Sequence, residues 1–180
     1  MKKKVIFALI ITFCLIVVII GINFNRNMKI DDIDWNIYFA NLKTSIVNGN
    51  VFIPEDPVLE ATSIKAYDVL VNKSGDYVTY TFDVINDGNV DATLESFIKT
   101  EPKCISLLLP ANRQDEKKVC DNLIYSITYT DTNKKVLVSD VIKAKTKKNL
   151  TLKIEYINNI KEQLAGDVQI TFYDMTFVYN

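Results

Sequence analysis

The residues of this chain best able to do chemistry are two cysteines and a short run of alternating oxygen donors. Cys104 and Cys120 are the two thiols beyond the N-terminal apolar run. In an oxidising compartment an even pair reads as a disulfide, closing a loop of about 15 residues and contributing about 3 kcal/mol. Unpaired thiols are the alternative, since many surface domains of single-membrane bacteria do without bridges. No third ligand type accompanies the pair, so it does not read as a metal site. Asp87, Asn89 and Asp91 place side-chain oxygen at every second position, as the start of a calcium loop does. The bidentate glutamate of such a loop is missing at the proper spacing, and Asn86-Asp87-Gly88-Asn89 is good turn chemistry. These three residues stand as a calcium candidate beside the plainer reading of a turn.

The chain contains no histidine. That removes the commonest general base at neutral pH and the commonest zinc ligand. It excludes Ser-His-Asp and Cys-His catalysis and the His-Glu-x-x-His metallopeptidases. There is no glycine-rich phosphate loop and no dinucleotide fingerprint. Asp31, Asp32 and Asp34 form an acidic cluster, read as a solvated stalk; glycoside hydrolysis would need two carboxylates about 5–9 Å apart in a cleft. Lys143, Lys145, Lys147 and Lys148 read as a solvated loop, with contact to an anionic wall polymer as the sharper alternative. No catalytic, cofactor-binding or metal-binding residue is assigned beyond the calcium candidate, and no cofactor is implied.

The elements that must position these residues are strands. Trp35, Ile37 and Phe39 alternate with Asn36, Tyr38 and Ala40, the period of a half-buried strand. Ile46 to Ile53 reads as a second strand broken at Asn48-Gly49-Asn50, and Thr62 to Val71 as a third. Tyr77 to Ile85 is the clearest, with Val78, Tyr80, Phe82 and Val84 inward. Further strands are expected over Asp91 to Ile98, Leu123 to Thr130, Val136 to Ile142, Leu150 to Ile157 and Asp167 to Tyr179. In the last, Val168, Ile170 and Phe172 share one face. Only Ala111 to Val119 and Ile157 to Leu164 look helical. Eight or nine short strands with frequent turn signals predict an all-β, antiparallel immunoglobulin-like or jelly-roll sandwich.

Ahead of this lies a membrane signal. Lys2, Lys3 and Lys4 precede an uncharged apolar run, Val5 to Ile22, whose 18 residues make about 27 Å of helix, near the ~30 Å hydrocarbon core of a bilayer. The lysines should stay cytoplasmic and the remainder should lie outside. The run is longer than a signal-peptide core and ends without a small-x-small site, so it reads as a retained anchor, with a cleaved signal as the alternative. The expected organisation is an N-terminal membrane anchor or signal segment over 1–26, a polar juxtamembrane stalk over 27–34, and an extracellular β-sandwich over 35–180. Beyond residue 30 the chain carries 22 acidic against 16 basic residues, a net charge of −6. That argues against a nucleic-acid partner.

The segments Trp35 to Leu42, Gly75 to Gly88 with Asp91-Ala92, and Leu150 to Tyr156 resemble a group of small, mostly uncharacterised exported proteins of low-GC Gram-positive bacteria. The group is distantly similar to the camelysin and biofilm-matrix fibre family. The resemblance covers roughly residues 35–179 and implies a jelly-roll or immunoglobulin-like sandwich. Its fibre-forming members are cleaved by a dedicated signal peptidase, whereas this N-terminus reads as retained. The peptidase activity claimed for camelysin-type members would need a zinc site that this chain has no histidine to build, and no functional residue is carried over.

Together these readings predict a single-pass membrane protein, held in the bilayer through residues 5–22, with a non-enzymatic structural or adhesive role. Self-association or a cell-surface partner is expected, and the long final strand, Thr171 to Tyr179, is the edge suspected of making the contact. The alternative is a module that binds cell-wall polymer or carbohydrate through loops such as Ile105 to Val119 or Lys143 to Lys148.

Overall fold

The computed structural model describes residues 33–46, 51–158 and 163–180. Residues 34–180 form one compact unit. The expected anchor over 1–26 lies outside the described residues, and among the described residues no helix is long and apolar enough to cross a membrane.

The chain runs through β1 (Ile37–Ile46), β2 (Phe52–Glu55), β3 (Val58–Glu60), β4 (Ser63–Lys73), β5 (Tyr77–Asn86), β6 (Ala92–Lys99), β7 (Lys103–Ser106), α1 (Arg113–Asp121), β8 (Leu123–Tyr129), β9 (Val141–Ile142), β10 (Thr146–Tyr156) and β11 (Gln163–Tyr179). All pairings are antiparallel. One sheet has the order β1-β5-β10-β8, the other β2-β4-β11-β6-β9, with β3 also on β4 and β7 also on β11. The two sheets form a sandwich-like fold. Proline explains two of the short strands. β2 and β3 lie in succession along β4, interrupted at Pro57; β6 and β7 lie in succession along β11, interrupted at Pro102. A proline offers no N–H to a ladder, and both interruptions fall at one; Pro54, inside β2, sits instead where the register with β4 shifts.

The core is built by alternation. On β5 Val78, Tyr80, Phe82 and Val84 are fully buried, as the sequence pattern predicts; on β10 the matching set is Leu150, Leu152, Ile154 and Tyr156. Phe177 of the opposite sheet packs edge-on against Phe39, ring centroids 5.0 Å apart, and against Phe97 at 5.0 Å, while Phe39 lies 4.8 Å from Phe82. This cluster ties both sheets together. Each such ring buried contributes about 2–3 kcal/mol.

Several expectations are corrected. The helix begins at Arg113 rather than Ala111, because the Asn112 side chain caps it, accepting from the N–H groups of Gln114 (3.1 Å) and Asp115 (3.2 Å). No helix occupies Ile157 and Asn158, and Gln163 and Leu164 already belong to β11; residues 159–162 lie outside the described part. Of the strand expected over Val136 to Ile142, only Val141–Ile142 forms one. Asp140 holds the rest as a turn, its carboxylate accepting from Leu137 N–H (2.8 Å) and Tyr129 OH (2.9 Å). In β4 burial passes from Ile64 to Val69 and Val71, and in β11 from Val168 and Ile170 to Met175 and Phe177. Both strands thus change the parity of their buried face together while their mutual register runs unbroken from Val168 to Thr176.

The largest correction concerns β11. It is a central strand, paired with β4 on one side and with β6 and β7 on the other, so Thr171 to Tyr179 is not an edge. The true flanks are partly closed. On one flank Phe39 N–H of β1 donates to Ala61 O at the β3–β4 turn (2.8 Å). On the other, residues 134–140 span from β8 to β6: Val136 N–H donates to Ile127 O (3.0 Å) and Ser139 N–H to Leu94 O (2.8 Å). Backbone groups engaged this way are not open to an incoming strand.

Candidate functional site

The outer face of the four-stranded sheet carries the most developed polar constellation. Alternation turns Thr81 and Asp83 of β5 away from the core, and the register sets Asn149 of β10 directly opposite Asp83. β1 contributes through a bulge. Its register shifts between Ala40 and Lys43, and Asn41, the inserted residue, has φ 57°. An asparagine tolerates this left-handed conformation better than most residues, and the bulge re-aims its side chain across the sheet. Asn41, Leu42, Lys43, Thr81, Asp83, Lys147 and Asn149 then line an open depression of about 710 Å³.

Asp83 lies at the bottom of this depression and is only 6% exposed. Its Oδ1 accepts from Asn149 Nδ2 (2.8 Å), and its Oδ2 from Asn41 Nδ2 (2.9 Å) and Lys147 Nζ (2.9 Å). Burial alone would raise its pKa. The hydrogen bonds from Asn149, Asn41 and Lys147, with the Lys147 charge, outweigh that and hold the carboxyl below its usual range. Asp83 is therefore a fixed acceptor that orients two amides and an ammonium. Lys43, on the rim, makes no ion pair among the described residues, so one cation in the depression is uncompensated. Such a surface can accept from hydroxyl groups and donate to hydroxyl or anionic oxygens.

The residues singled out by sequence fall elsewhere. Cys104 on β7 and Cys120 in the last turn of α1 form a disulfide, with Cα atoms 5.8 Å apart. The bridge fastens the helix to β11's neighbour, and two carboxylates help it: Glu116 Oε1 accepts from Ser106 N–H (3.1 Å) and Asp115 Oδ2 from Ala165 N–H (2.9 Å). The backbone bond from Ser106 and the Arg113 guanidinium keep the Glu116 carboxyl below its ordinary range.

Asp87, Asn89 and Asp91 each have protein partners. Asp87 Oδ2 accepts from Tyr38 OH (2.7 Å), and Asn89 Oδ1 from Asp34 N–H (2.9 Å). Asp91 accepts from Lys143 Nζ (2.6 Å) and Ala144 N–H (2.9 Å). Gly88 is needed in this turn because a Cβ there would meet Asp34 O at 2.3 Å. Among the described residues no cluster of three or more histidine, cysteine, aspartate or glutamate side chains is arranged to hold a metal. Three lysines of the basic stretch are likewise tied down: Lys143 pairs with Asp91, Lys145 donates to Asp87 O, and Lys147 pairs with Asp83, while Lys148 lines a separate recess with Tyr129 and Asp140.

Sequence reasoning missed the Asp83 constellation. Its one available signal was an aspartate in mid-strand, where aspartate is depleted. Its partners lie 42, 64 and 66 positions away, so only the pairing of β1, β5 and β10 brings them together. Comparison with known proteins supplies no relative: no family model, curated protein or solved structure matches the chain.

Proposed function

We propose that this chain is a membrane-anchored, extracellular, non-enzymatic adhesive protein whose immunoglobulin-like or jelly-roll domain binds a hydroxyl-rich cell-surface polymer. The proposed site is the outer face of its four-stranded sheet. The observation that carries the reading is the depression around Asp83, which is lined by amides, an ammonium and a carboxylate fixed by one another. Preorganised donors and acceptors of this kind suit hydroxyl recognition, because the network and not the ligand bears the ordering cost. The anchor rests on Val5 to Ile22 and the lysines before it. The resemblance to the camelysin and biofilm-matrix fibre group is consistent with an exported sandwich and is proposed on the same footing.

A structural role through self-association has less support. It rested on an edge at Thr171 to Tyr179, and β11 is central. Retention of the full chain, in neutral lipid nanodiscs, on isolated cell-wall polymer tests the proposal. Lys43→Gln and Asn149→Ala should each weaken retention about tenfold or more while leaving the melting temperature within a few degrees. Retention unchanged in both variants would remove the site from the function.

A further inference from the structure

The depression is one end of a longer feature. Two rows of polar side chains cross the sheet at right angles to its strands. In the first, Lys43 of β1 is in register with Thr81 of β5, Thr81 with Thr151 of β10, and Thr151 with Thr128 of β8. In the second, Asn41 and Asp83 are followed by Asn149, and Thr130 joins at the end of β8 through its N–H to Asn149 O (2.9 Å). The rows are linked at the far side, where the hydroxyls of Thr130 and Thr151 are 2.8 Å apart. Four strands at a spacing of about 4.8 Å make each row about 14 Å long.

Three properties of the rows narrow the ligand. First, the hydroxyls of Thr81 and Thr128 make no protein hydrogen bond among the described residues, so acceptors and donors remain available along the whole length and not only in the depression. Second, no aromatic ring lies in either row, so recognition along them falls to hydrogen bonds with hydroxyl groups. Third, a lysine stands beyond each end of the threonines. Asp83 and Lys147 offset each other, Lys43 adds one cation on β1, and Lys135 is bridged to Thr128 beyond β8.

From this we infer that the site, on the reading above, takes an extended linear polyol carrying phosphodiester groups. It lies across all four strands, with an anionic group at Lys43 and successive hydroxyls along the threonine row to Thr128. A short fragment fills only the depression; a longer chain engages the whole track.

The test is a ladder of synthetic glycerol-phosphate oligomers, from a single unit upward, titrated against the full chain in neutral nanodiscs. Affinity should rise by about tenfold or more with length, the scale of one or two added hydrogen bonds, and then level off once the track is filled. Thr128→Val with Thr151→Val should flatten the ladder while leaving the single unit's affinity unchanged. Valine keeps the shape and strand preference of threonine and removes only the hydroxyl, and an unchanged melting temperature reports that the sheet is intact. Lys43→Gln should weaken every rung and abolish the preference over an uncharged polyol of equal length. If the native chain binds oligomers but their length does not matter, or the double valine variant keeps the ladder, the track is wrong and the depression alone is the site. If no oligomer of any length binds, the track and the reading it rests on both fall.

Discussion

Asp83 shows how one side chain can be costly to bury and still be fixed in place. A carboxylate 6% exposed on a sheet face would lose hydration with nothing in return, and here three donors replace the water. The consequence is a pH dependence with a definite sign. A group whose folded pKa is depressed lends stability above its unfolded value, about 4 for aspartate, and that stability is lost as pH falls through the lower folded value. Asp91 and Glu116 are shifted in the same direction and share the acid limb. Asp83→Asn should therefore be less stable than the native chain at neutral pH, and the gap should narrow steadily as the pH is lowered from about 4 toward 2. Melting temperatures of both proteins across that range are the check; parallel curves would mean that the network does not hold Asp83 ionised. None of this was legible in the local sequence. Asp83 sits among outward residues of a well-patterned strand, and its meaning depends on a bulge that turns Asn41 and on an asparagine from β10.

At the scale of elements, sequence pattern succeeds where a strand has one wet and one dry face along its whole length. β5 and β10 are such strands, and their alternation named the core correctly. Pattern fails where the buried face changes parity, as in β4 and β11, because alternation carries a single phase from one end to the other. It also fails at Val136 to Ile142, whose apolar residues suggest a strand, since Asp140 captures the Leu137 N–H and closes a turn instead. Helix α1 is the opposite case: nine residues, too short to persist alone, kept by what it docks against. Asn112 caps it, Asp115 and Glu116 bind strand N–H groups, and the Cys104–Cys120 bridge ties it to β7 across 16 positions. Replacing both cysteines by serine should cost about 3 kcal/mol, the chain-entropy value for a loop of this size. Amides of α1 and β7 should then exchange faster by a larger factor than those of β5 and β10, since the opening is local. Urea unfolding gives the first number and hydrogen exchange the second; uniform acceleration would show that the bridge serves the whole domain and not this corner.

For the whole molecule the decisive fact is where the last strand lies. β11 spans 17 residues and is the one strand that β4, β6 and β7 all pair with. Its final part supplies Met175 and Phe177 to the core, and Phe177 is the ring on which Phe39, Phe82 and Phe97 converge. As an edge strand, Thr171 to Tyr179 could be removed with the loss of assembly alone. As a central strand its removal takes away the β11 partner of β6, the central ring of the inter-sheet aromatic cluster and the closing pair between Thr93 and Asn180. Losing two buried large side chains costs on the order of 5–10 kcal/mol by the usual core penalties, comparable to the whole stability of a domain this size. A chain ending before Asp174 should thus fail to fold: its near-ultraviolet dichroism should be flat and its thermal transition absent, at any protein concentration. A truncated chain that melts cooperatively, and differs from the native one only in mass by light scattering, would return β11 to the edge and self-association to the front. The partly closed flanks argue the other way. Because β1 is bonded to the β3–β4 turn, and residues 134–140 are bonded to both β8 and β6, a partner strand finds little open backbone at these flanks, whereas the polar outer face of the four-stranded sheet offers side chains.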